Sequence, residues 1–332
     1  DKVNNLNRHI AQEKYSGIYL LYGEEDYLIR YYRDRLTQGI LHGSAEGNIN
    51  YHYYEGGSVT ADDIINQAQS LPFFSDVVLI VVENSGFFKR STDLASSLEG
   101  IPQSTKIIFV EHEVDKRNSL YKYVKSAGTA AELMHKNDNE LINWVAAYLK
   151  REECLITMRA AKLLISKAGV DMQQLVNELD KLIAYAGEKK QIDIPQVEAI
   201  VTTQLSNKIF VMIDNIVSGK SREALKMYKD LLALKESPLT IMSLLTRHYN
   251  ILLQLKELQG ETDGNIAKRI GVPSFAVRKY KAQSGAYNKM QLKKLVLECI
   301  DTEEAVKQGR LGARVGVEVL IIKFGSMPLR KG

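Results

Sequence analysis

Leu20-Leu21-Tyr22-Gly23-Glu24-Glu25-Asp26-Tyr27-Leu28 is the stretch on which the fold turns. An apolar run, Gly17-Ile18-Tyr19-Leu20-Leu21-Tyr22, stops at a single glycine, and residues 24–38 follow with Tyr27, Leu28, Tyr31 and Leu36 at near-helical spacing. A strand that feeds a helix through a glycine turn is the opening unit of an α/β layer. Further runs repeat it. Residues 49–54 read as a second strand, and Ala61-Asp62-Asp63-Ile64-Ile65-Asn66-Gln67-Ala68 as a short helix with acids in its first turn, where they suit the dipole. Val77-Val78-Leu79-Ile80-Val81-Val82 has no polar interruption and many β-branched residues, which suits a strand buried on both faces of a parallel sheet. Lys106-Ile107-Ile108-Phe109-Val110 gives another.

The same turn argues against nucleotide chemistry. A P-loop, G-x-x-x-x-G-K-[ST], needs glycines to bare backbone amides and a lysine for the phosphates. Here there is one glycine, no lysine, and three acids, Glu24, Glu25 and Asp26, where phosphates would sit. G-x-G-x-x-G and G-x-S-x-G are absent as well, and Val81-Val82-Glu83-Asn84 carries no clear Walker-B acid pair. Glu111-His112-Glu113 lies among Asp115, Lys116 and Arg117 and reads as a solvated loop rather than an acid/base pair.

Past residue 137 the pattern turns helical. Asn137-Asp138-Asn139-Glu140 resembles a capping box, with Leu141, Trp144, Val145, Tyr148 and Leu149 behind it. Asp171 and Asp193, the latter near Pro195, read as two more helix starts, which gives a small all-helical unit up to about residue 203. Helices continue to the end: residues 210–217 stop at Ser218-Gly219, Pro238 opens the next, 265–270 stop at Gly271, and Pro273 opens another. The expected boundaries are an α/β domain over 1–137, a helical unit over 138–205 and an all-helical domain over 206–332.

Composition is ordinary for a globular chain of 332 residues, 45% hydrophobic and 25% charged. Two cysteines, Cys154 and Cys299, far apart in sequence, exclude a disulfide framework, and the six histidines form no HxxxH or HxH pair, so no local metal site is expected. No run approaches the roughly 20 apolar residues of a membrane span, and Asp1-Lys2-Val3-Asn4-Asn5-Leu6 is not a signal-peptide core. A cytoplasmic protein is expected. The net charge of +4 hides an asymmetry: residues 1–140 hold 14 Lys and Arg against 20 Asp and Glu, whereas 211–332 hold 21 against 12. A basic C-terminal third fits nucleic acid or an acidic partner, or simply a solvated helical surface.

Two surfaces stand out. Leu71, Phe73 and Phe74 cluster around Pro72, which ends the preceding helix and biases Leu71 toward extended geometry. Such a segment either anchors in a partner's pocket or caps the core beside the following strand. In the last third, Lys268-Arg269, Arg278-Lys279-Tyr280-Lys281 and Lys289 with Lys293-Lys294 place cations near Tyr280 and Tyr287. This is either phosphate contact with a stacking ring or a solvated face at a subunit contact.

These residues together resemble a known family. Tyr22-Gly23-Glu24-Glu25-Asp26-Tyr27-Leu28 is similar to the N-terminal signature of the delta subunit of bacterial DNA polymerase III, a clamp-loader component. Gln67-Ala68-Gln69-Ser70-Leu71-Pro72-Phe73-Phe74-Ser75-Asp76 resembles the family's clamp-gripping wedge, and residues 171–185 (with Leu175, Glu178, Leu179, Lys181 and Leu182) its lid helix. In the last third, Thr246-Arg247 with residues 252–258, Ile266-Ala267 through Pro273, Phe275 and Val277, and Asp301 with Lys307 and Gly309 continue the match in order. The resemblance implies an AAA+-like (RecA-like) α/β domain with a parallel sheet, a helical lid and an all-α collar. It implies no cofactor, no intrinsic catalysis (the family counts with DNA-directed DNA polymerases by association) and a place at the replisome on the nucleoid. The implied partners are the beta sliding clamp, the ATPase and delta-prime subunits of a hetero-pentamer, and primed DNA. The implied clamp-binding residues are Leu71 and Phe73, with Phe74 as alternative or core and Ser70 and Pro72 beside them; Arg278, Lys279, Tyr280, Lys281 and Lys293 are candidates for DNA contact. A degenerate P-loop NTPase and a DNA-binding scaffold outside replication remain the rival readings.

Overall fold

The computed structural model describes residues 2–90, 92–203, 205–272 and 274–327. They fall into two compact units, Asp1–His135 and Lys136–Gly332.

In the first unit the order is α1 (Lys2–Gln12), β1 (Ile18–Tyr22), α2 (Asp26–Leu41), β2 (Tyr51–Glu55), α3 (Ala61–Ala68), β3 (Val78–Glu83), α4 (Leu94–Ser97), β4 (Thr105–Glu111), α5 (Ser119–Ala127) and β5 (Thr129–Glu132). The strands form one sheet in the order β2-β3-β4-β1-β5, and each observed pairing is parallel. β1 and β3 are buried along their whole length, as their unbroken apolar sequences require of strands covered on both faces. Alternation sends Ile18, Leu20, Val78, Ile80, Val82, Ile107 and Phe109 into one core, with Ile64 and Ala68 of α3, Leu94 of α4 and Leu120 and Val124 of α5. Tyr19, Leu21, Leu79, Val81 and Ile108, equally buried, point the other way, toward the side where α2 packs on β1, β3 and β4. β2 is an edge strand and is only half-buried.

The second unit contains α6 (Asp138–Arg151), β6 (Leu155–Ile156), α7 (Met158–Ala168), α8 (Met172–Ala186), β7 (Gln191–Ile192) and α9 (Ile194–Ile200). Then come α10 (Leu205–Val217), α11 (Ser221–Ala233), α12 (Pro238–Glu257), α13 (Asp263–Ile270), α14 (Ser274–Gly285), α15 (Lys289–Lys307) and α16 (Ala313–Gly325). The caps fall where the sequence puts them: Asn137 with Glu140 and Asp193 with Gln196 close capping boxes, Asp171 caps α8, and Gly271 ends α13 in the left-handed region. The stretch expected to be all-helical is not: β6 and β7 pair in parallel for two residues, Leu155 with Gln191 and Ile156 with Ile192. So short a ladder leaves no periodic trace in sequence. A core of this unit joins α10, α11, α12, α15 and α16 around Met212, Tyr228, Tyr249, Leu295, Leu320 and Phe324. Pro273, read as opening α14, lies outside the described residues, as do the side chains of Lys268 and Phe275.

Candidate functional site

In a parallel α/β sheet ligands bind at the carboxyl ends of the strands, beside a helix N-terminus whose amides attract anions. Here that position is filled from within. Glu25, 5% exposed, takes the N-cap of α2: its Oε1 accepts from the Tyr27 N–H at 3.3 Å. Its Oε2 lies 2.7 Å from His135 Nδ1, and this bond to Glu25 raises the His135 pKa above the ordinary histidine value. The residue following β5 closes over the turn: Leu133 N–H donates to the Tyr22 carbonyl at 2.7 Å and Glu25 N–H to the Leu133 carbonyl at 3.1 Å. Gly23, at φ +137°, passes so close that a Cβ there would sit 2.2 Å from the Leu133 oxygen. A carboxylate of the chain thus holds the Tyr27 amide, at the place where a phosphate would otherwise bind. The helix starts two residues later than the pattern suggests because Glu25 caps it from outside.

Glu111, read as part of a solvated loop, is instead buried at the end of β4. It accepts from Ser85 Oγ at 2.6 Å and from Gly86 N–H at 3.0 Å, and burial raises its pKa. The β-pattern of residues 106–110 runs one residue further into the charged stretch than composition shows. A cleft of about 690 Å³ lies along α2 and β2, lined by Arg33, Asp34, Thr37, Gln38, Tyr51 and Tyr53 among others. Its Arg33 is bonded to Asp34 and, at 2.6 Å, to Glu83.

The opposite, amino-terminal edge of the sheet carries the segment between α3 and β3. Leu71 is 81% exposed, Phe73 58% and Phe74 95%. The reading in which they cap the core, with Phe74 as a core residue, is therefore incorrect: the core beside β3 is closed by Ile64 and Ala68 of α3. Ser70 and Pro72 are half-buried beneath them. The Phe73 and Phe74 rings meet edge to face at 4.4 Å between centroids. Phe74 sits at φ +49°, a conformation a bulky residue adopts only under constraint.

The constraint is visible. Ser70 Oγ donates to the Gln67 carbonyl at 2.7 Å, Thr105 Oγ1 donates to the Ala68 carbonyl at 2.8 Å, and the Asn50 amide bonds both main-chain groups of Phe73. This is a rigid apolar presentation, the chemistry of an anchor that enters a partner's pocket. Asn50 was not singled out from sequence: it falls within the run 49–54 read as a strand, whereas β2 starts at Tyr51, and its partner lies 23 positions away. Ile49 beside it is 65% exposed.

Against this geometry, the comparisons with known proteins are specific. A family model of the DNA polymerase III delta subunit matches residues 19–135, and a model of that subunit's C-terminal domain matches residues 206–324. The DNA polymerase III subunit delta of Bacillus subtilis (strain 168) is 25% identical over 321 residues, 92% of this chain and 92% of that one. The chain belongs to the DNA polymerase III delta subunit family. A probable DNA polymerase III subunit delta of Aquifex aeolicus (strain VF5) is 24% identical over 297 residues, 84% of this chain and 83% of its own. The fold agrees: the Bacillus subtilis DNA clamp loader delta protein superposes with a TM-score of 0.87 at 22% identity, covering 98% of this chain and 100% of that one.

In the helical half of this delta-family chain the basic residues are placed less favourably than the sequence suggests. Tyr287 is fully buried. Tyr287 is therefore no stacking platform, while Tyr280, half-buried, packs on Phe210 and His248 with centroids 5.3 and 4.8 Å away. Lys281 is bound to Asp263 at 2.5 Å and Lys289 to Glu257 at 2.6 Å. Arg278, Lys279 and Lys293 are exposed on α14 and α15. No described helix is long and apolar enough to cross a membrane.

Proposed function

We propose that this chain is the clamp-binding and clamp-opening subunit of a DNA polymerase III clamp loader, docking on the beta sliding clamp through Leu71, Phe73 and Phe74, with Ser70 and Pro72 shaping the segment. The observation that carries the reading is the exposure of these apolar side chains on a segment whose backbone is tied down at both ends. Burying one Leu and one Phe in a partner offers roughly 3–6 kcal/mol before ordering costs, enough to offset part of an interface opening. The subunit acts by binding the open or strained clamp better than the closed one, since a binder shifts an equilibrium only by its differential affinity.

In this reading the chain has no catalytic step or cofactor of its own. A carboxylate on the α2 amides repels nucleotide phosphate, which speaks against the degenerate NTPase. ATP hydrolysis then comes from ATPase subunits joined with delta-prime and this chain in a hetero-pentamer, working on primed DNA in the cytoplasm, at the replisome. Residues 138–205 serve as lid and 206–332 as the collar that joins the subunits. Exposed Arg278, Lys279 and Lys293 favour a second, weaker contact to DNA phosphates.

Calorimetric titration of the same organism's beta clamp tests the reading. Wild type is expected to bind, and folded Leu71→Ala/Phe73→Ala to lose binding. A wild type that fails to bind a clamp competent for its other partners overturns the assignment. ATP binding by the isolated chain revives the NTPase rival, and strong DNA affinity without clamp affinity the scaffold.

A further inference from the structure

Asn50 precedes β2, is 5% exposed, and is fixed at four points. Its main-chain carbonyl accepts from Leu79 N–H at 2.9 Å, which ties it to β3, and its N–H donates to Asn48 Oδ1 at 2.9 Å. Its side chain does something different. Nδ2 donates to the Phe73 carbonyl at 2.8 Å and Oδ1 accepts from the Phe73 N–H at 2.7 Å. One amide thereby makes the paired contact of a β-ladder rung, outside any strand. A primary amide carries donor and acceptor side by side, and no other short side chain does. An aspartate would set a carboxylate against the Phe73 carbonyl; an alanine would remove both bonds. The next residue, Phe74, is the one held at φ +49°.

We propose that Asn50 is the positioning residue of the docking segment: it fixes the Phe73 backbone, and with it the left-handed Phe74, before a partner arrives. This rests on the clamp-docking reading given above. Asn50 is buried, so its effect on the partner is indirect, through order. A segment ordered in advance loses less conformational freedom on association. Releasing one or two residues at Phe73 and Phe74 corresponds to about a 10- to 100-fold weaker complex.

The full chain is titrated with the beta sliding clamp as wild type, Asn50→Ala, Asn50→Asp and Leu71→Ala/Phe73→Ala, with thermal melting and amide hydrogen exchange on the free proteins. The expected result is a 10- to 100-fold loss of affinity in both Asn50 variants. Exchange at the Phe73 amide should accelerate while the β3 amides stay protected and melting shifts by only a few degrees. If Leu71→Ala/Phe73→Ala loses binding but both Asn50 variants bind as wild type, the positioning role is overturned and the docking reading stands. If wild type does not bind the clamp, both fall. Should the Asn50 variants fail to fold, wild-type exchange decides: a protected Phe73 amide supports the proposal, and exchange at the open-chain rate overturns it.

Discussion

Phe74 at φ +49° with a ring 95% exposed is a local cost without local burial to offset it. A non-glycine residue in that region is worth of the order of 1–2 kcal/mol of strain, the kind found where a side chain is aimed rather than packed. Phe74→Gly is therefore expected to leave stability in urea unchanged or raise it by up to about 1 kcal/mol, while weakening clamp binding about tenfold or more. A clear loss of stability would show that Phe74 is structural. His135 offers a second test. Its bond to Glu25 raises its pKa, so its contribution is fully present below the unfolded-state value of about 6.5 and is lost as pH rises through the folded value. Because the imidazole is half exposed, the contribution is under about 1 kcal/mol. His135→Gln should abolish this decline of first-unit stability between neutral and mildly alkaline pH, measured as urea midpoint against pH.

At the scale of elements, the turn between β1 and α2 is bound to the residue after β5, and Gly23 is where the two backbones nearly touch. Gly23→Ala combines a positive φ with a contact of 2.2 Å to main-chain oxygen, which cannot swing away. A loss of about 2–4 kcal/mol is expected from chemical denaturation, with far-ultraviolet dichroism retained at low denaturant. On α14 and α15, the exposed cations are the ones able to reach phosphate, because Lys281 and Lys289 are already paired. If these helices touch DNA, Arg278→Ala/Lys279→Ala/Lys293→Ala should reduce the slope of log affinity against log salt by up to about 3. Replacing Tyr287 should act on folding, since its ring is fully buried, and replacing the half-buried Tyr280 should loosen its packing on Phe210 and His248.

At the scale of the whole molecule, two histidines respond to pH in opposite directions, His135 in the first unit and His248 in the second. In the second, His248 is buried against Phe210, Tyr280 and Tyr249, and burial pushes its pKa down to about 4 despite the bond to Gln283 Oε1 at 2.5 Å. The sign is the reverse of His135: the contribution is full above pH about 6.5 and falls as pH drops toward about 4, where the unfolded chain takes up a proton that the folded chain refuses. A loss of roughly 2–3 kcal/mol over that window is expected. Trp144, the chain's single tryptophan, lies in this unit and reports it by fluorescence. His248→Gln should flatten the acid limb, whatever it does to stability at pH 7.

Period and composition were enough to write down the parallel α/β sheet, the helical remainder and most caps, because each depends on neighbours a few residues apart: β1 and β3 are buried runs, and Asn137 reaches only to Glu140; the family came from the resemblance of several short motifs in order along the chain. α1 and β5 went unread in the sequence; Thr129-Ala130-Ala131-Glu132 has too little side-chain bulk to read as a strand and is one only because it pairs with β1. Whether Leu71, Phe73 and Phe74 face core or solvent was undecidable from hydrophobicity, since both readings ask for the same residues. Tertiary structure decided it by closing the core with α3 and leaving the segment outside, pinned by Asn50. It also buried Glu111 and Tyr287, packed Tyr280 on Phe210 and His248, and set Glu25 against His135. A pairing across 23 or 110 positions depends on where the chain returns in space, which the spacing of residues along it does not encode.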